Sequence, residues 1–467
     1  MGVVTLSPMH PASHDTLPRR LFHLAWPVLI AQAAVMANGV IDTLMAGRIS
    51  PADLAAVGIG ASIYATVFVT AMGVLLALTP IVAHHYGARR YLEIGADVRQ
   101  SAWLALGLGI VTVIVLRHPD PFLAFARPPP DVELKVRAYL EGSAWAVPGI
   151  LFFRVFHGMT TGIGRPRPVM VFNLLGLALK VPLNAMFMYG MVIDQWGFQP
   201  MGGAGAGWSS AVVTWAVALT AWVWCRRTPD YAPFGVFSHF EPPRWAPIRE
   251  LLRLGLPTGA TFLVDVTAFT FMALFIARLG AENSAAHQVA ASVAVFTFMV
   301  PMALGHATGV LVGQSLGAGA PEAARTAGWL GLGTGTLLGV GVGLAIGLGA
   351  PALAALYSPD PGVRSVAVVL LGIVAWYHVA DALQAVTAQV LRGYKRATAP
   401  MVIYAGALWG VGLGGGYLLG LTDVFGPPRG AEGFWIAATA SLVVAAAALA
   451  IYFERVSRPA PRDRPST

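Results

Sequence analysis

Charge is what this chain has least of. Only 11% of its 467 residues are Asp, Glu, Lys or Arg, against 56% apolar, and the mean hydropathy is +0.67. A soluble globular domain carries about 25% charged residues, so this composition could not furnish a water-facing surface. Acids are scarcer than bases, 22 against 30, which leaves a net charge of +8. No basic face interleaved with aromatics accompanies that excess, which argues against nucleic acid as a partner. The basic clusters recur in alternate loops between apolar runs of roughly 20 residues, the length that crosses a hydrocarbon core. The single cysteine, Cys225, excludes an intramolecular disulfide. Walker and HExxH patterns are missing too, so ATP-driven pumping and zinc-assisted hydrolysis have no support and no catalytic residue is expected. The first 20 residues are polar and lack the short apolar core of a signal peptide, so the first apolar run is expected to remain as a span.

Twelve spans fit between residues 22 and 453. Pro27, Pro257 and Pro301 lie within spans and are candidate bends, since each removes a backbone donor. The clusters Arg89-Arg90, Arg165/Arg167, Arg226-Arg227 and Arg392/Lys395/Arg396 all fall on one side. By the positive-inside rule both termini are expected to be cytoplasmic. The halves repeat: Pro27 and Pro257, Arg48 and Arg278, Gly87-Ala88 and Gly317-Ala318 are each 230 residues apart. The expectation is an all-α membrane protein with twelve transmembrane helices, in two six-helix bundles related by a pseudo-twofold along the membrane normal. The divisions are a cytoplasmic tail 1–20, a bundle 21–226, a cytoplasmic linker 227–248, a second bundle 249–454 and a tail 455–467.

Against this apolar background three acids stand out: Asp42, Asp265 and Asp381. An intramembrane carboxylate costs several kcal/mol unless it faces water or a partner, so each is a functional candidate. They do not follow the repeat, because the counterparts of Asp42 and Asp265 are Met272 and Val35, and that of Asp381 is about Phe152. Asn38 shares a helix face with Asp42, and Gln32 lies on the same span. Tyr377 and Gln384 share a face with Asp381, while Asp265 interrupts an otherwise apolar run. Two nearby carboxylates in one half could share a proton or offer Na⁺ hard oxygens, and no other metal site is expected. Among the bases, Arg154 is expected to snorkel to the inner interface. Lys180 is at mid-span, four residues before Asn184 on one face, and Asp42 is the only intramembrane acid in its half. Gly331, Gly335, Gly339, Gly343 and Gly347 recur every four residues within an apolar helix and are expected to serve close helix packing. His84-His85 lacks neighbours at metal-ligand spacing.

At these residues the chain resembles the multidrug and toxic compound extrusion (MATE) family, in its bacterial NorM-like branch. The segments that carry the likeness are Pro27-Val-Leu-Ile-Ala-Gln32, Asp42-Thr-Leu-Met-Ala-Gly47, Ala286-His-Gln-Val289, Gly313-Gln-Ser-Leu-Gly-Ala-Gly319 and Leu391-Arg-Gly-Tyr-Lys395. The resemblance implies two six-helix bundles around a V-shaped cavity and exchange of H⁺ or Na⁺ for amphipathic organic cations, with no cofactor. It implies coupling roles for Asp265, Asp381, Asp42 and Tyr377. Cavity-lining or supporting roles are expected for Gln32, Asn38, Lys180, Asn184, Gln288 and Gln384. Two positions depart from the branch: Asp265 stands where Glu is usual, and Lys180 where Asn is usual. A Lys180–Asp42 pair would place a resident cation in the first half and leave coupling to Asp265 and Asp381. Membrane lipid and drug-like cations are the expected partners of a chain expected to act as a monomer. The rival expectation is a flippase for a lipid-linked saccharide on a related scaffold.

Overall fold

Proline opens many of the helices, at the positions where its missing N–H is not needed. In the computed structural model, which describes residues 16–193 and 196–458, the chain up to Leu251 forms one compact unit and the chain from Leu252 a second. The first contains α1 (Leu17–Gly47), α2 (Pro51–Leu75), α3 (Leu78–Gly87), α4 (Tyr91–Arg117), α5 (Asp120–Ala126), α6 (Pro130–Gly162), α7 (Arg167–Tyr189) and α8 (Ala204–Arg227). A small antiparallel hairpin, Met191–Ile193 with Trp196–Phe198, lies between α7 and α8. Then α9 (Trp245–Ala277) crosses the division, and the second unit continues with α10 (Ala281–Gly317), α11 (Pro321–Tyr357) and α12 (Pro361–Gly393). It is completed by α13 (Thr398–Ala405), a π-helical stretch (Gly406–Gly414), α14 (Gly415–Leu421) and α15 (Gly430–Ser457). The expected tails reach beyond these limits: residues 1–15 and 459–467 lie outside the described residues.

Eleven of these helical segments are long and apolar enough to cross a membrane. The twelfth long helix, α6, has 33 residues and carries Lys135, Arg137, Glu141 and Arg154, which lower its hydropathy. The repeat is visible in the backbone. The helices ending at Gly87 and Gly317 are each followed two residues on by a left-handed residue, Arg89 at φ 59° and Gly319 at φ 73°. Gly164 at φ 81° and Lys395 at φ 55° form the next such pair. A left-handed residue just past a helix end turns the chain into its next span. Pro27, Pro257 and Pro301 each lie inside a continuous helix. The break falls instead between α2 and α3 at Leu76–Ala77, which contains no proline.

The glycine stripe of α11 packs as its spacing predicts. A Cβ at Gly331 would lie 2.3 Å from the Thr308 side chain, at Gly339 2.8 Å from Ala382, and at Gly343 2.5 Å from the Ala375 carbonyl. Close approach of α10 and α12 to α11 therefore depends on hydrogen in place of a side chain.

The expected linker divides differently from its sequence limits, because most of it is tied to the first unit. Arg99 on α4 donates to Glu241 at 2.8 Å and to the Gly235 carbonyl at 2.7 Å. Trp103 donates to the Glu241 carbonyl at 2.9 Å, and Gln100 both donates to Pro242 O and accepts from Arg244 N. Burial alone would raise the Glu241 carboxyl. The hydrogen bond and charge of Arg99, with Arg244 and His239 nearby, outweigh it and hold Glu241 below the usual glutamate range.

Candidate functional site

Each unit holds its own polar cluster within apolar helices, and the two differ in kind. In the first, Asp42 on α1 is 7% exposed. It receives a hydrogen bond from Asn184 Nδ2 at 2.7 Å and lies 3.0 Å from the Lys180 ammonium. Lys180 and Asn184 are one turn apart on α7, so both reach α1 from the same face. The Lys180 ammonium also donates to Ala206 O at 3.0 Å, Ser209 Oγ at 3.0 Å and Ser210 Oγ at 2.5 Å on α8. Ser209 in turn donates to Asn184 Oδ1. Lys180, both polar atoms of Asn184 and one oxygen of Asp42 thus have partners, which helps a buried ion pair to be tolerated.

Beside that cluster is a cavity of about 300 Å³, lined by Asn38, Tyr64, Tyr139, Phe172 and Arg154 as well as Asp42 and Lys180. Asn38 spends its amide on Ala34 O at 2.9 Å, and its Oδ1 is buried with no partner among the described residues. Arg154 does not snorkel. Its position is eight residues from the end of α6, about two turns, and its side chain turns into the cavity. Gln32 is half-buried ten residues before Asp42, roughly 15 Å along α1, and is not among the residues lining that cavity.

In the second unit Asp265 on α9 accepts one hydrogen bond, from the Tyr404 hydroxyl at 2.8 Å. Asp381 on α12 is 5% exposed and makes no hydrogen bond or ion pair among the described residues. The two carboxylates are near enough to repel one another, and Tyr377 and Tyr404 both feel their charge. Asp265, Gln384, Tyr404 and Arg392 line one small cavity of about 50 Å³. Tyr377 lines another, of only about 20 Å³, with its ring edge-on to Trp435 at 5.5 Å. Gln384, 6% exposed, sits one turn beyond Asp381. By contrast Gln288 is exposed on α10 and makes no hydrogen bond among the described residues, while its neighbour His287 is the buried one. No group of three or more His, Cys, Asp or Glu with metal-binding geometry occurs among the described residues.

Tyr404, Ser209 and Ser210 were not singled out by sequence pattern. Tyr404 lies two residues before the π-helical stretch, and such widened turns often mark functional positions. Trp409, within that stretch, donates to Val264 O at 3.4 Å and so fixes the backbone next to Asp265. The glycine-rich run around Trp409 is the signal that could have drawn attention to this segment.

These arrangements have known relatives. The family model MatE matches the chain twice, over residues 27–186 and 257–418, one match for each repeat. The chain is 38% identical over 439 residues to the "Probable multidrug resistance protein NorM" of Aromatoleum aromaticum, covering 93% of both chains. It is 38% identical over 441 residues to the "Multidrug resistance protein PmpM" of Pseudomonas aeruginosa, covering 94% of this chain and 92% of that one. Among solved structures, a MATE crystallised in a bent conformation superposes with a TM-score of 0.85 at 20% identity, covering 95% of this chain and 96% of the other. A eukaryotic MATE transporter superposes with a TM-score of 0.81 at 17% identity, covering 94% and 97%. The chain is therefore a multi-pass membrane protein that belongs to the MatE family.

Proposed function

We propose that the protein is a secondary active multidrug exporter of the bacterial inner membrane, with both termini cytoplasmic. It exchanges amphipathic organic cations for H⁺ or Na⁺ by alternating access, and the second unit's acids do the coupling. The observation that carries this reading is Asp381, a buried carboxylate with no hydrogen bond or ion pair among the described residues. An unpaired acid at membrane depth is unstable as an anion unless a proton or cation arrives. Asp265 with Tyr404, and Gln384 one turn beyond Asp381, supply the further oxygens that would hold the ion or pass the proton. Asp42 lacks that property, because Lys180 and Asn184 already satisfy it. Ion and drug shift the balance of conformations in opposite directions only if each binds one state better. Competition for the same carboxylates supplies that difference.

The names of the relatives, all multidrug resistance proteins, support drug export over the lipid-linked saccharide flippase. The chain is accordingly a transporter and not an enzyme. The test is efflux of ethidium from proteoliposomes under an imposed Na⁺ gradient or an imposed pH gradient. Efflux driven by one gradient and lost in Asp381→Asn supports the reading and names the ion. No efflux under either gradient, from vesicles holding folded protein, overturns it.

A further inference from the structure

We infer that the first unit's cavity is a binding site for an aromatic carboxylate, in which Arg154 is the group that pairs with the anion. This goes beyond cation export and does not rest on it. Asp42 and Lys180, 3.0 Å apart, are together neutral whichever of them holds the shared proton. Arginine does not deprotonate in proteins, so Arg154 leaves the cavity with one positive charge in excess. No carboxylate lies within ion-pair distance of Arg154 among the described residues, and its Nε is buried without a partner. Its one contact is Nη1 to His157 Nδ1 at 3.2 Å. A guanidinium has only donors, so this ring nitrogen must accept, and a histidine accepting there is neutral. His157 therefore cancels none of the charge.

An unpaired guanidinium at this depth is held at a cost of several kcal/mol. A carboxylate presents two oxygens that match the guanidinium fork, and such bidentate pairs are among the strongest hydrogen-bonded contacts in proteins. The walls specify the rest of the ligand. Tyr64 and Phe68 stand nearly parallel, with ring centroids 5.4 Å apart and an interplanar angle of 13°. With Phe153, Phe172 and Tyr139 they make an aromatic lining around about 300 Å³, at the small end of the 300–1,000 Å³ or so of ordinary ligand pockets and enough for a fused ring pair. A flat ring system bearing a single negative charge fits both features. A pyrophosphate carries several charges and would find one free cation. An organic cation would meet charge of its own sign.

The experiment is equilibrium binding of 2-naphthoate and of its neutral isostere 2-naphthamide to the purified full-length protein, wild type and Arg154→Gln. The wild type is expected to bind the acid about tenfold or more tightly than the amide. In Arg154→Gln the acid should fall to the affinity of the amide, while the amide, which needs only the aromatic walls, binds as before. Equal affinity for acid and amide in the wild type overturns the inference, as does a preference for the acid that survives Arg154→Gln. Tighter binding of inorganic pyrophosphate than of naphthoate overturns the assignment to an aromatic monoanion. If Arg154→Gln binds neither probe and is misfolded, Arg154→Lys is read instead. Its point charge without the fork should leave a reduced preference for the acid, and an undiminished preference contradicts the bidentate role. Loss of ethidium export would leave all of these outcomes readable.

Discussion

Asp42 and Asp381 are both buried acids on long apolar helices of a duplicated scaffold, yet their surroundings are opposite. Asp42 is held by Lys180 at 3.0 Å and Asn184 at 2.7 Å, whereas Asp381 has no such partner among the described residues. A paired acid is a fixed structural element, because removing either partner strands the other. An unpaired acid is free to take up an ion. The two halves thus share helices and turns while surrounding their buried acids differently.

That contrast can be broken by substitution, and the largest effect belongs to Asp381. In Asp381→Asn, gradient-driven ethidium efflux should fall by about a hundredfold or more, while the thermal unfolding temperature in detergent stays the same or rises. A large drop in unfolding temperature would mean that Asp381 is structural after all. Asp42→Asn should behave in reverse, destabilising the protein by roughly 3–5 kcal/mol as Lys180 is left buried and unpaired. Adding Lys180→Asn should recover most of that loss, and additive losses in the double variant would deny the pair. Tyr404→Phe removes one neutral hydrogen bond to Asp265, worth about 1 kcal/mol. Efflux should slow by about fivefold with folding unchanged, and unaltered efflux would take Tyr404 out of the ion site.

A further test concerns the packing of α11 within the second unit. Gly343→Leu would force a side chain against the Ala375 carbonyl, 2.5 Å from the position of the new Cβ. Destabilisation of about 1–3 kcal/mol is expected, read by thermal unfolding. The smallest effect concerns the segment 235–244. Because Glu241 is held below the usual glutamate range in the folded protein, its contribution is present above the unfolded value of about 4.3 and is lost as pH falls below it. The protection factors of amides in 235–244, taken relative to intrinsic exchange at each pH, should fall on acidification, and Arg99→Ala should lower them already at pH 7.

Much of this molecule is legible in its residues, and what is not legible has a common cause. The spans follow from run length, the repeat from residues 230 apart, and the Lys180–Asp42 contact from a lone lysine facing a lone acid. The direction of Arg154 and the roles of Tyr404, Ser209 and Ser210 do not follow. A helix that is apolar on every side gives no periodic sign of which face turns inward. The same ambiguity hides Gln288, which is exposed despite its place in a recognisable segment. Helix breaks need no proline, since α10 runs on through Pro301 while α2 gives way to α3 at Leu76–Ala77. Neighbouring helices can satisfy the carbonyl that a proline frees, so its presence does not dictate interruption.

The most direct test compares Asp381→Asn with the double variant Asp42→Asn/Lys180→Asn in one proteoliposome efflux assay, with ethidium under the gradient that drives the wild type. If coupling resides in the second unit, the double variant retains gradient-driven efflux and Asp381→Asn has none. Efflux that survives Asp381→Asn but vanishes in the folded double variant would contradict that placement and return the coupling ion to Asp42.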